Sequence, residues 1–399
     1  MLTDNQQGKR TNSEDMRVAN QMLLLNHLRR NRMSRADLAR ATGLTRAAIS
    51  IQVDQLLQQE ILYEVVDDSA PLKNRKSVQL AIRSDCLFAI GLSLARESCE
   101  VGIMNIGGGI IISRLVEINS EQSVEESVSV ICQAILQLVN DSGIDGSKIL
   151  GIGISAPGPV LPYKGSFVRP GGFDKWHHIA LTSMMDAQLP WKSHLEGAGV
   201  ALTMATKIYG VGKNYHDFIL LKINYGFGGG IVINDRLHRG VSGGGNEFGH
   251  MVIKMGGHQC DCGNKGCLAA YASIHSILEE FSHYGFRSWE QVVDAAYVGD
   301  QRAMEILQAE ACYLATGITN LTNMLEPQAV IFTGPLTYRS ELLFALIRDK
   351  VNAAMLLSGV REIEYLCDYL ENTDVLISAT IVFEKFFSGD ISFPNNDLS

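Results

Sequence analysis

Cys260, Cys262 and Cys267 stand within eight residues of one another, on a stretch punctuated by Gly263 and Gly266, and His250 precedes the first of them by ten residues. Three thiolates and one imidazole make up a tetrahedral structural zinc site and leave no open position for metal catalysis. A disulfide between two of the clustered thiols is the competing reading, and a reducing compartment disfavours it. The other five cysteines are scattered in apolar surroundings and read as ordinary core residues. The expected ion holds a loop, and with it whatever His250 and the neighbouring Glu247 build.

The 83 residues at the N-terminus are of another kind. They carry 13 Lys and Arg against 9 Asp and Glu, a net of +4, whereas the remaining 316 residues carry 21 against 34, a net of −13. The overall charge of −9 therefore conceals a basic head on an acidic body. Val18, Met22, Leu25 and Leu28 fall at helical spacing. Ser34, with Asp37 three residues on, opens a second helix that ends at Gly43, and Thr45 caps a third with Ile49, Val53, Leu56 and Leu57 facing inward. Its outward set is expected to be Arg46, Ala47, Ser50 and Gln52, small and polar enough to approach base edges, with Arg35 and Thr45 beside them. Two strands, Leu62 to Val66 and Ser77 to Ile82, flank a basic tip that includes Arg75 and Lys76. Three helices and a hairpin spell a winged helix-turn-helix that binds double-stranded DNA; a small oligomerisation module is the plainer reading.

From Leu87 onward short apolar strands alternate with helices. Phe88–Leu94, Cys99–Asn105, Ile110–Ile118 and Ile149–Ser155 form one round, with a helix over Val124–Val139. Phe218–Ile223, Gly228–Ile233, Met251–Lys254 and Ala329–Thr333 form a second. Two such rounds imply an α/β body of two similar lobes with a cleft between them, and the last helix, near Leu376–Phe387, is expected to pack back on the first lobe. The stretch Asn224 to Gly230 can be a phosphate cradle or merely a hairpin turn. No apolar run approaches the ~20 residues of a membrane span, and the N-terminus lacks a secretory segment, so a cytoplasmic protein is expected.

Asn246-Glu247-Phe248-Gly249-His250 followed by the three-cysteine loop resembles the signature of the ROK family, which contains bacterial repressors and sugar kinases. Ala156-Pro157-Gly158 and Met324 to Gly334 fit as well, and the likeness spans residues ~15 to 388. The winged helix ahead of the body resembles the NagC-, Mlc- and XylR-like repressor branch. The resemblance implies an actin-like, RNase H-like body in homodimers or tetramers. It divides the chain into a flexible 1–15, a DNA-binding 16–83, a first lobe of 84–195 with 372–390, a second lobe of 196–371 and a flexible tail of 391–399.

The departures from the family pattern bear on activity. The phosphate loop of the kinases, with its Asp and Thr, corresponds to a stretch with Ser93 and Glu97, and the second phosphate loop corresponds to Asn224-Tyr225-Gly226. The catalytic Asp corresponds to Ala198 and the sugar-binding Asn beside it to Gly197. A methyl group takes no proton, and a positioned general base is worth ~100-fold to 10,000-fold. Phosphotransfer is therefore not expected, and part of the glycine excess reads as the remnant of nucleotide loops. Of the family's five polar sugar contacts, Glu247 and His250 remain, whereas the fifth position is Ala269. Each charge-assisted hydrogen bond lost costs ~1–3 kcal/mol, so the expected effector is a different or larger sugar derivative, if one binds. The wing tip keeps its charge as Asn74-Arg75-Lys76 but lacks the glycine common in the family. A repressor of carbohydrate genes is the expectation; an active sugar kinase and a regulator sequestered by a protein partner are the alternatives.

Overall fold

The computed structural model describes residues 13–66, 78–95, 99–119, 121–170, 173–224, 226–370 and 373–393. The head comprises α1 (Ser13–Leu28), α2 (Arg35–Thr42), α3 (Arg46–Gln58) and the antiparallel pair β1 (Leu62–Val66) and β2 (Val78–Ile82). The caps fall where local chemistry places them. The Ser34 hydroxyl accepts from the Asp37 amide at 3.2 Å while the Asp37 carboxylate accepts from the Ser34 amide at 3.3 Å, a reciprocal box. Gly43 closes α2 with φ of 71°, and the Thr45 hydroxyl accepts from the Ala48 amide at 3.2 Å. Lys73, Asn74, Arg75 and Lys76, the expected wing tip, lie outside the described residues.

The body holds two five-stranded sheets. The first contains β3 (Phe88–Leu94), β4 (Cys99–Asn105), β5 (Ile110–Val116), β6 (Ile149–Ala156) and β9 (Ser193–Gly197), in the order β5-β4-β3-β6-β9. Between its strands run α4 (Val124–Ser142), a short ribbon of β7 (Val160–Leu161) and β8 (Ser166–Phe167), and α5 (Leu181–Asp186). The second sheet contains β10 (Phe218–Ile223), β11 (Phe227–Ile233), β12 (Arg236–Leu237), β13 (Ala329–Thr333) and β14 (Glu364–Cys367), in the order β12-β11-β10-β13-β14. Its helices are α6 (Ala198–Ile208), α7 (Ala269–Ala272), α8 (Ile274–Glu280), α9 (Trp289–Tyr297), α10 (Gln301–Leu325) and α11 (Glu341–Ala354). Each sheet is a three-stranded antiparallel meander joined through its first strand to two parallel strands. The same topology twice over makes two like lobes, the actin-like, RNase H-like plan. The strand expected at Met251–Lys254 is absent; only an isolated bridge between Val252 and Cys267 occurs there, because this segment wraps the cysteine loop.

A period of two distributes β10 between two cores: Phe218 and Leu220 face α6 and the last helix, α12 (Thr373–Ser388), while Ile219, Leu221 and Ile223 face α9 to α11. α12 lies on β3, β4 and β6 at a distance only glycine permits. A Cβ on Gly153 would sit 1.9 Å from the Ser378 carbonyl oxygen, and one on Gly91 2.4 Å from that of Val375. The same holds in the second lobe, where a Cβ on Gly229 would sit 1.9 Å from the Leu220 carbonyl oxygen and one on Gly230 2.6 Å from the Thr203 hydroxyl. Gly228–Gly230 thus lie inside β11 against its neighbours, and Asn224 donates across the β10–β11 turn to the Gly226 carbonyl at 3.0 Å. In the folded chain these glycines serve close packing.

The head does not stand apart. Met22, Leu24 and Leu25 share a buried cluster with Phe383, Phe386 and Phe387 of α12. Phe393 is also buried, its ring 5.1 Å from that of Phe386, so the tail expected to be free from residue 391 is packed through residue 393. No helix among the described residues is long and apolar enough to cross a membrane.

Candidate functional site

α3 presents Thr45, Arg46 and Ala47 to solvent, with Ser50 half-buried behind them. Gln52 is different from expectation. It is buried, because positions 49, 52, 53 and 56 form one helical face, and its amide oxygen finds no partner. Ile51, 57% exposed, stands on the outer face instead, a residue the sequence reading did not single out. Arg35 is engaged within the head: its guanidinium bonds Asp54 of α3 at 2.8 Å and Glu64 of β1 at 3.4 Å, tying the helix pair to the wing.

Glu247 precedes a single helical turn, Phe248–His250, whose His250 amide donates back to the Glu247 carbonyl at 3.0 Å. Glu247 is open to solvent, yet the protein walls around its carboxyl raise the pKa above the ordinary value, an effect that His250 opposes. The turn is seated on the second sheet, where a Cβ on Gly249 would meet the Phe227 side chain at 2.7 Å. On the same strand, a Cβ on Gly199 of α6 would meet the Gly229 amide nitrogen at 2.3 Å. Gly197 and Ala198 stand at the head of α6, directly before Gly199, which makes this contact with β11. Across the cleft, Gly158 of the first lobe lies about one contact distance, 3.7 Å, from a Glu247 carboxylate oxygen when given a Cβ. Ala269 starts α7, and the bond from the Leu268 amide to the Met251 carbonyl at 2.8 Å keeps it beside the same turn. Ser93 is the penultimate residue of β3, and Glu97 and Tyr225 lie outside the described residues.

The ligand atoms of His250, Cys260, Cys262 and Cys267 all lie within 4.8 Å of one another. Cys260 Sγ is 3.5 Å from His250 Nδ1, and Cys262 Sγ is 3.6 Å from Cys267 Sγ. A tetrahedral ion with bonds of about 2.0–2.3 Å sets its ligands roughly 3.5–3.8 Å apart, so the four residues fit a metal of that kind. His250 turns Nδ1 to the thiols, which leaves Nε2 on the opposite ring edge.

A model of the ROK family matches residues 91–372. The chain belongs to the ROK family. Along almost its whole length it is similar to the xylose repressor of Bacillus spizizenii, with 28% identity over 374 residues, 93% of this chain and 96% of the relative. A glucokinase of Thermotoga maritima is 27% identical over 317 residues, covering 75% of this chain and 98% of its own length. The solved structure of a ROK family transcriptional regulator, a homolog of the Escherichia coli MLC protein, superposes with a TM-score of 0.78 at 20% identity, covering 94% of this chain and 97% of that one. The ROK body is thus shared with kinases, and the head is what the repressor-length relatives add.

Proposed function

We propose that this ROK protein is a DNA-binding transcriptional repressor of carbohydrate genes that responds to a sugar-type ligand in the interlobe cleft. The observation that carries the reading is the head itself: a capped recognition helix that exposes Arg46, Ala47 and Ile51, packed directly on a ROK body. Arg46 suits a guanine edge or a phosphate, and the Ile51 side chain suits a thymine methyl. The working division is a DNA-binding unit of 16–83, with Arg75 and Lys76 of its wing on the phosphates, a first lobe of 84–197 and 372–390, since β9 runs to Gly197 in the first sheet, and a second lobe of 198–371. Two heads in a homodimer, or in a tetramer, read a palindromic operator.

In the cleft, the Glu247 carboxyl and the His250 imidazole are the groups that hold sugar hydroxyls. Gly197, Ala198 and Ala269 offer space in place of polar contacts, which favours a ligand other than one read by a full set of hydrogen bonds. With Ala198 at the base position, the cleft binds without phosphorylating. Zinc, held by His250, Cys260, Cys262 and Cys267, is structural: it fixes the turn that carries Glu247 and aims His250 at the ligand.

The reading is tested by selecting bound sequences from random duplex DNA and comparing selected with scrambled duplexes at ~0.15 M salt, where nonspecific contacts weaken. A selected duplex should bind at least ~1,000-fold more tightly, the low end of specific recognition. Equal affinity for both sinks the proposal. A thermal-shift panel of xylose, glucose and N-acetylglucosamine examines the ligand arm, since a bound ligand stabilises by mass action. Release of ADP with any of these sugars would instead favour a kinase, the activity named for the Thermotoga maritima relative.

A further inference from the structure

Arg239 follows β12 and opens the loop that ends at His250. Its carbonyl accepts from the Gly245 amide at 3.0 Å, and the neighbouring His238 carbonyl accepts from the Asn246 side chain at 2.6 Å. The segment that carries Glu247 is therefore folded back on Arg239. The Arg239 side chain runs the other way, across to the first lobe. One guanidinium nitrogen, Nη2, lies 3.3 Å from Oε1 of Glu196 and 3.0 Å from Oε2 of Glu384.

Those two carboxylates belong to elements with different tasks. Glu196 is in β9, directly before Gly197 and Ala198 of the cleft, and is 1% exposed. Glu384 is on α12, three residues before Phe387. The Phe387 carbonyl accepts from the Asn26 side chain of α1 at 2.7 Å, and the Arg29 guanidinium lies 4.8 Å from the centre of its ring. One arginine thus touches the cleft loop through its backbone, and the cleft floor and the helix that seats the head through its side chain.

The contact is also incompletely made. Oε2 of Glu196 and Nη1 of Arg239 are both buried without a partner. A guanidinium has a planar fork that pairs two nitrogens with one carboxylate, and here it is shared between two. The unpartnered nitrogen of Arg239 and oxygen of Glu196 are the two atoms that a fork-to-fork pair between these residues would use, an arrangement that gives up Glu384. An element with a second arrangement open to it is what coupling between distant sites requires. Consistent with one cation between two acids, burial first and then Glu384 hold the Glu196 carboxyl up near about 7, against the opposing pull of Arg239.

We propose that Arg239 is the residue that couples the cleft to the DNA-binding head, clasping Glu196 and Glu384 so that movement of the 238–250 loop is passed along α12 to α1. The inference rests on the regulator reading above, but its mechanical content can be read without DNA or ligand. Amide hydrogen exchange of the full chain is compared between wild type, Glu384→Gln and Arg239→Lys. Glu384 is 28% exposed on its side chain, so its amide replacement is expected to leave the fold intact, which a melting curve of the variant checks.

Coupling predicts that exchange rises roughly tenfold or more in α1 and in the 238–250 loop together, in both variants, with α9 to α11 unchanged. Acceleration confined to the last turns of α12, with α1 as protected as in wild type, overturns it. Adding xylose, glucose or N-acetylglucosamine separates the two claims. If none of them alters exchange in wild type while both variants loosen α1 and the loop, the clasp stands and the sugar reading fails. If one of them protects the cleft but α1 ignores both variants, the sugar reading stands and the clasp fails.

Discussion

The Asn26 side-chain amide donates to the Phe387 carbonyl oxygen at 2.7 Å, joining residues 361 positions apart in the chain. The same amide group donates to the Met22 carbonyl at 2.9 Å, so one side chain caps the contact between α1 and the end of α12. The head is seated on the body by a directed bond as well as by apolar burial, and its position depends on where α12 ends. Replacing Asn26 with Ala should cost about 1–2 kcal/mol, the range for a hydrogen bond whose partner is left half-buried. Limited proteolysis of the full chain should then cleave between head and body faster, while hydrogen exchange in α9 to α11 changes little. A head as resistant as in wild type would refute the seating role.

Two glycine substitutions separate packing from conformation. Gly153→Ala drives a methyl against the Ser378 carbonyl of α12, with 1.9 Å available, and should cost ~3 kcal/mol, the upper part of the overpacking range. Gly43→Ala has open space around it and meets only the strain of φ at 71°, so it should cost ~1 kcal/mol. Denaturant midpoints of the two variants should fall in that order, and the reverse order would mean that α12 is free to lift from the sheet.

Purified protein should carry about one zinc per chain by metal analysis, lost on substitution of Cys260, Cys262 or Cys267 by Ser. Chelation should open the 251–268 segment to protease and leave the first lobe protected, because Cys267 is fully buried at the base of that loop. Protein that is stoichiometrically metal-free, yet equally resistant in this segment, would refute a structural ion.

Glu196 carries a pH signature. Its folded pKa is raised from 4.5 to about 7, so the folded state holds the proton more tightly than the unfolded chain. Its contribution to stability is full below pH 4.5 and declines as pH rises toward about 7, by an amount on the order of 3 kcal/mol at most. Glu196→Gln should flatten that decline between pH 4.5 and 7. Glu310, buried with both oxygens unpartnered, is shifted in the same direction, so Glu310→Gln is the needed comparison. His194, lowered to about 4 by burial, acts with the opposite sign below pH 6.5 and is unaffected by either change. Identical profiles for wild type and Glu196→Gln would show that this carboxyl is not held protonated.

Features legible along the chain are those whose chemistry closes within a few residues. The Ser34–Asp37 box, the Gly43 cap, the Thr45 cap and the repeated strand cycle needed only neighbours in sequence. The cysteine loop with His250 needed only ten residues more. Gln52 was misplaced by residue type, although the spacing 49, 52, 53, 56 carried the signal that it faces inward. Ile51 was missed for the mirror reason, an apolar residue on a solvent face.

By itself, the sequence determined most of the element types, the basic head on an acidic body, the His250 and three-cysteine cluster, and the absence of a carboxylate at position 198. Tertiary structure alone decided what the glycines of β3, β6 and β11 are for, why Arg35 is held by Asp54 and Glu64, and that Arg239 meets Glu196 and Glu384. The physical reason is range. Caps and ligand spacings are set by a backbone that has few conformations over a short span, whereas close packing and buried ion pairs join residues tens to hundreds of positions apart. No residue in those pairs carries a mark of its partner until the two lobes and α12 have come together.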